Sequence, residues 1–512
     1  VDGVSGWTEG LDRSGEKAHY LWHLHDAGVI RLEHRRDGRL RYRVTDTVWD
    51  EVYATDVEPS TVAIIDNGCC TDHPHLPYGE AVLPAPCFAS HDYGATHPAR
   101  GAQARPFAEE RAVNHFAEAA AVDGAFWGRI EALAGHGIRH APMERFEEIV
   151  AHLREREGVA RGVASYAEDF PVHGTLTAGV VAARPPEGRP GALPYFGVDP
   201  RARVLSLNTS LRPDFLSLIH ALLYAVGRGA DVVLIPRAVW RPERWPEEAD
   251  PHRPDDLRAS RLDTDTQLQV DAALFEVLLH VVGESVPVVI AAGNNGFSHA
   301  QVYPARLAGE GNGLISVGAV SGARVPGSGE AIVSGYSNRC EVTLFAPSDD
   351  AEIWDRGARR LDPDGRTVLE HGADPGEPYS SWSVLSTDIP GAFGDASGGM
   401  ALHRRDEPAN RRSLFAPFGG TSAACAIVAG AASLVQAARR DEGKDPLTGI
   451  EMKHHMLGAS PVVARLPSGE PVARIDVRAC LGLDRPARGP SGGGPPPGGA
   501  PRPAPPGAVD DT

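Results

Sequence analysis

The chain has 512 residues, 42% of them hydrophobic and 23% charged, with a formal net charge of −18. That length buries a large core and fits one catalytic domain with additions. The acidic balance argues against a general nucleic-acid binder, and no run of about 18 apolar residues is present to predict a membrane span. Six cysteines stand at 69, 70, 87, 340, 425 and 480. Their scatter, and the adjacency of Cys69 and Cys70, do not make a disulfide framework. The first residues carry no basic stretch followed by an apolar one, so no secretory signal is read there. A cytoplasmic enzyme with reduced thiols is the expectation.

Residues 1–57 form a small N-terminal module. A helix is predicted over Ser14–Ala27, then a β-hairpin over Val29–Val44 turning at Asp37-Gly38. An accessory module, a partial pro-segment and a plain structural extension all fit this pattern. Next, Ser60-Thr-Val-Ala-Ile-Ile runs into Asp66-Asn67-Gly68, a buried strand ending in a carboxylate. Asp72, His73 and His75 follow in a loop beside Cys69-Cys70, where a metal site lacks a spaced partner pair. An insertion over about 90–165 reads as helical at Phe107–Ala121, Ala125–Gly135 and Met143–Glu157. Beside the cleft it would serve as a lid or partner surface; otherwise it is packing decoration.

His173 opens the small-residue helix Val172–Ala183. The stretch 240–266 is a charged, Pro-rich loop. Val286-Pro-Val-Val-Ile-Ala-Ala leads into Gly293-Asn294-Asn-Gly296, a buried strand ending in an Asn on a glycine turn. A second insertion, rich in Asp, Gly and Pro, covers 348–380. Ser422 lies in Gly420-Thr421-Ser422-Ala-Ala, where a glycine-rich loop becomes a buried helix. The tail 485–512 is Pro/Gly-rich, a composition expected to stay disordered. Gly489-Pro-Ser491-Gly-Gly493 there matches a nucleophile elbow in letters only, without a strand or helix around it.

Each of these residues has a plain reading alone. Asp66 and Asn294 are turn formers, His173 is a core histidine, and Ser422 is a helix cap. Together, in the order Asp, His, Asn, Ser, they resemble the subtilisin-like serine peptidases, the subtilase family. The resemblance extends through the strand–helix–strand unit Ala202–Leu207, Leu216–Gly229 and Asp231–Ile235. Tyr303–Arg306, Leu314–Val320, Ser334–Asn338, Leu344–Pro347 and Val384–Gly391 fall in family order too, so that most of 58–480 is covered.

The resemblance implies an α/β fold: three layers, α/β/α, about a mainly parallel sheet, with the helical insertion and N-terminal module added. The peptidase domain would run over 58–484. It implies a serine endopeptidase in which Ser422 attacks, His173 accepts the proton and Asp66 holds the imidazole. Asn294 would donate to the oxyanion, and Gly293, Gly420 and Thr421 would line the substrate. Protein or peptide is the implied substrate, with no required cofactor. Calcium is common in the family, but no ligand cluster is visible to carry it. Oligomeric state is left open. The chain departs from the pattern at Ala423, at Ala426-Ile427 and at Ile235-Pro236-Arg237, where Pro236 removes a backbone donor for substrate pairing. These departures and the insertions point to a regulated or processing protease. A catalytically weak or inactive protein that keeps the fold as a binding module is the alternative.

Overall fold

The structure is a computed structural model. It describes residues 7–9, 19–36, 40–70, 72–86, 88, 96–97, 115–135, 143–155, 172–188, 192–209, 213–239, 266–324, 331–349, 352–353, 359–360, 384–389, 414–465 and 471–483. The turn at Asp37-Gly38, the loop 240–265, most of the 348–380 insertion, Cys87 and the tail with Ser491 lie outside the described residues.

A single large sheet organises the chain. Its strands are β1 (Thr61–Asp66), β2 (Val82–Leu83), β3 (Arg203–Asn208), β4 (Val232–Ile235), β5 (Val288–Ala291), β6 (Leu314–Arg324), β7 (Ala331–Val333) and β8 (Leu344–Pro347). The order is β7-β6-β5-β4-β1-β3-β2, with β8 also beside β6. Every pairing is parallel except β6 with β7. Parallel neighbours need crossovers, and helices supply them.

Strand β1 shows why the sheet is central. Val62 and Ile64 enter one hydrophobic core, while Ala63 and Ile65 enter the other. The two-residue side-chain period thus feeds two cores, and both faces are covered. The first core holds α4 (Val172–Ala182) and α7 (Gly420–Asp441); the second holds α5 (Phe215–Gly227) and residues of α6 (Thr266–Ser285). Small residues along α7 let it lie against the sheet. It is long and apolar enough to cross a bilayer by composition, yet 94% of that window is buried inside the protein.

The insertion forms α1 (His115–Val122), α2 (Phe126–Gly135) and α3 (Met143–Glu155). The sequence pattern allows a place beside the cleft or simple packing decoration. The helices extend the second core, against α5 and α6. Phe116 and Phe126 pack edge-on to Tyr224 of α5, and Arg145 pairs with buried Asp271 of α6 at 2.8 Å. Aromatic burial of this kind draws the insertion onto the outer helical layer.

In the N-terminal module the described helix is shorter than predicted, Trp22–Asp26. The His19 ring accepts the Leu21 N–H at 3.2 Å, holding that stretch as a turn. The hairpin pairs Ile30–Arg36 with Leu40–Thr47. Leu21, Leu24 and Trp49 share the first core with α7. Trp49 Nε1 donates to the Val198 carbonyl at 2.8 Å, and Tyr53 donates to Asp199 at 2.6 Å.

Candidate active site

The site gathers at the carboxyl ends of the parallel strands, where loops from neighbouring strands converge. Asp66 is the last residue of β1, and Pro236 and Arg237 follow β4 directly. Asn294 sits three residues beyond β5, in the turn rather than at the strand end. Thr421 and Ser422 occupy the first turn of α7, and His173 is the second residue of α4.

His173 Nδ1 donates to Asp66 Oδ2 at 2.6 Å. The Asp66 side chain is 1% exposed and that of His173 is 31% exposed. Asp66 Oδ1 accepts the Asn67 N–H at 2.8 Å and faces Arg237 Nη1 at 3.4 Å. Burial alone would raise the Asp66 carboxyl. The charges of His173 and Arg237, with the hydrogen bonds from His173 and the Asn67 N–H, outweigh burial and hold it below the ordinary carboxylate range. A depressed carboxyl stabilises the native state above its unfolded value, and that contribution is lost as pH falls through the folded value.

The helix carrying His173 is placed by close backbone contact. The Gly174 N–H donates to Asn67 Oδ1 at 2.9 Å. A Cβ on Gly174 would stand 1.8 Å from the Gly68 carbonyl oxygen, so only glycine lets α4 approach β1 this closely. The His173 ring meets Phe418 edge-on at 5.6 Å, against the chain leading into α7.

Ser422 is no helix cap. The capping position is Gly419, with no side-chain cap bond, and the Ser422 hydroxyl donates to the Pro236 carbonyl at 2.7 Å. Asn294 Oδ1 accepts from both the Thr421 N–H and the Thr421 hydroxyl at 2.9 Å. With the oxygen engaged twice, the amide Nδ2 is the group left to donate. Gly420 has φ +71°, and a Cβ there would stand 2.8 Å from Asn294 Nδ2. The Gly293 N–H donates to Thr421 Oγ1 at 3.1 Å. Buried Asn338 accepts from the N–H groups of Asn295 and Phe297, fixing the turn that presents Asn294.

The rival candidates fall elsewhere. His73 and His75 donate through Nε2 to the carbonyls of Leu414 and Leu193 at 2.7 and 2.8 Å, and both pack on Phe415. They are core histidines. No group of three or more His, Cys, Asp or Glu among the described residues is placed to hold a metal ion. Cys425, one turn after Ser422, is buried, and burial lifts its thiol well above the ordinary range.

Arg237 escaped the sequence reading, which took Ile235-Pro236-Arg237 only as a lost backbone donor. A charge directly after a buried strand was the available signal. Arg237 competes with His173 for one carboxylate. Replacing it with methionine removes one of the charges that lower the Asp66 carboxyl. The folded value then rises towards the unfolded one, so Arg237→Met is expected to lose stability at a higher pH on acidification than wild type. Thermal melts across the acid range check this.

A parallel sheet that brings an Asp–His pair and a helix-start serine to its carboxyl edge is the frame of a serine protease. The chain belongs to the subtilase family, whose profile matches residues 59–471. Among solved structures, it is similar to a lanthipeptide protease at 16% identity and a TM-score of 0.49, covering 91% of this chain and 94% of that one. It is similar to the nisin leader peptidase NisP of Lactococcus lactis at 16% and 0.42, covering 85% and 91%. Fervidolysin of Fervidobacterium pennivorans aligns at 16% and 0.45, covering 86% and 44%. No curated protein matches the chain in sequence.

Proposed function

We propose that the protein is a serine endopeptidase that cuts peptide bonds through an acyl-enzyme, acting on a restricted set of protein or peptide substrates. The observation that carries this reading is the 2.6 Å Asp66–His173 bond at the same sheet edge as Ser422 and Asn294. In the proposed reaction His173 Nε2 takes the Ser422 proton as Oγ bonds to the scissile carbonyl carbon. Asp66 fixes the tautomer, with the proton on Nδ1, and stabilises the imidazolium. The carbonyl oxygen, now anionic, accepts from Asn294 Nδ2 and the Ser422 N–H at the start of α7. His173 then gives its proton to the leaving amine as the C–N bond breaks. Water, deprotonated by His173, then bonds to the acyl carbon, and His173 passes that proton to Ser422 Oγ as the C–Oγ bond breaks and the acid leaves.

One observation favours the alternative of an inactive binding module. The Ser422 hydroxyl rests on the Pro236 carbonyl. A turn about χ1 redirects it, and catalytic hydrogen bonds commonly tighten only when substrate binds. Restricted specificity is supported by Pro236, which has no N–H to offer a substrate strand alongside β4. A reducing, cytoplasmic setting is supported by the buried free thiols of Cys69, Cys70, Cys425 and Cys480 among the described residues.

Incubation with casein and with a peptide library, followed by sequencing of the new amino termini, tests the reading. Cleavage at a narrow set of sites is expected. A folded protein that cleaves nothing favours the binding module. Asn294→Ala should lower kcat by about 10²–10³ with KM little changed, a magnitude carried over from subtilisin. Steady-state kinetics on a cleaved peptide check it.

A further inference from the structure

Asp349 follows β8 and lies beneath the turn that enters α7. Its side chain is fully buried. The Gly420 N–H donates to its Oδ1 at 2.9 Å, and the Tyr336 hydroxyl donates to the same oxygen at 2.7 Å. The neighbouring Ser348 hydroxyl donates to the Gly420 carbonyl at 2.8 Å. Two consecutive residues therefore hold the N–H and the carbonyl of one glycine, two positions before Ser422. Gly419 presses on the other side of the carboxyl: a Cβ there would stand 2.1 Å from Oδ2. Asp349 is itself anchored, because its carbonyl accepts from the Ser334 hydroxyl at 2.5 Å.

From Gly420 the constraint passes to both reacting groups. Thr421 aims the Asn294 amide, and Ser422 follows in the first helical turn. The donors are unevenly shared. Oδ1 takes those from Gly420 and Tyr336, whereas Oδ2 has no hydrogen-bond partner among the described residues. Burial raises this carboxyl above the ordinary range. The feature in use is a fixed acceptor oxygen, which an asparagine would retain.

We propose that Asp349 is a positioning residue for peptide cleavage: its Oδ1 sets the Gly419–Gly420 peptide, and through it the aim of Asn294 and the Ser422 N–H at the oxyanion. The proposal rests on the serine endopeptidase reading above. A displacement of about 1 Å in a catalytic group can cost about 10² in rate. Asp349→Ala is accordingly expected to lose about 10- to 100-fold in kcat with KM within about twofold. Asp349→Asn keeps the acceptor and should stay within a few-fold of wild type, on the order of the tolerance of an isosteric swap.

The test measures kcat, KM, inhibition by a peptide aldehyde and the rate of fluorophosphonate labelling for wild type, Asp349→Ala, Asp349→Asn and Tyr336→Phe. Thermal melts confirm folding. The aldehyde forms a hemiacetal whose oxygen needs the same donors, so its affinity should fall in step with kcat while KM holds. A purely structural role would change the melting temperature without that correlation. Should Asp349→Ala not fold, Tyr336→Phe decides: kcat and aldehyde affinity should both fall by about threefold or more. Wild-type kcat in Asp349→Ala, or in Tyr336→Phe, overturns the proposal. So does a loss in Asp349→Asn equal to that in Asp349→Ala. If wild type itself neither cleaves nor takes the label, the endopeptidase reading falls, and this proposal with it.

Discussion

Ser422→Ala is expected to abolish proteolysis while leaving the fold intact. The scale of the loss, about 10⁶ in kcat, is carried over from the nucleophile of subtilisin. Its cause lies in this chain. Ser422 is 8% exposed in the first turn of α7, among small residues that accept an alanine without rearrangement. Alanine is the better helix former, and among the described residues the side-chain bond lost is the one to the Pro236 carbonyl. Its net worth is about 1 kcal/mol, so unfolding does not explain the expected loss. Active-site kinetics with a thermal melt check both halves. Cleavage at the wild-type rate would move the nucleophile elsewhere, and Cys425 is a poor replacement because its thiol is buried and held protonated.

Asp66→Asn should lower kcat by about 10⁴, the scale known for the same change in a serine-protease triad. The substitution keeps the shape but offers an N–H to His173 Nδ1. That selects the tautomer with its proton on Nε2, which cannot accept one from Ser422. A second consequence is particular to this protein. Arg237, with a side chain 9% exposed, would lose the carboxylate it faces at 3.4 Å. Loss of a hydrogen bond to a charged group costs about 1.5–3 kcal/mol. Asp66→Asn should therefore melt below Ser422→Ala, although both are inactive. Equal melting temperatures would show that Arg237 does not depend on Asp66. A kcat within tenfold of wild type would remove Asp66 from the mechanism.

The catalytic candidates were legible because each sits where a simple sequence pattern breaks. Asp66 ends an apolar strand buried on both faces, and Ser422 opens a helix of small residues. The elements around them were legible for the same reason: Phe215–Gly227 and Met143–Glu155 fall within two residues of their predicted limits. What escaped depends on contacts between distant parts of the chain. Arg237 reaches Asp66 across 171 positions and Asp349 reaches Gly420 across 71, and no local periodicity encodes either pairing. Asp349 lay inside a segment read as a polar insertion, yet its carboxyl is buried. The placement of α1, α2 and α3 on α5 and α6 was hidden likewise. Their amphipathic pattern shows that they have a buried face, not which surface covers it.

The most direct test is reaction of the folded protein with a fluorophosphonate, followed by peptide mapping. One label per chain is expected, on Ser422, lost in both Ser422→Ala and His173→Ala. A folded wild-type protein that takes no label, or one labelled at another residue, would contradict it.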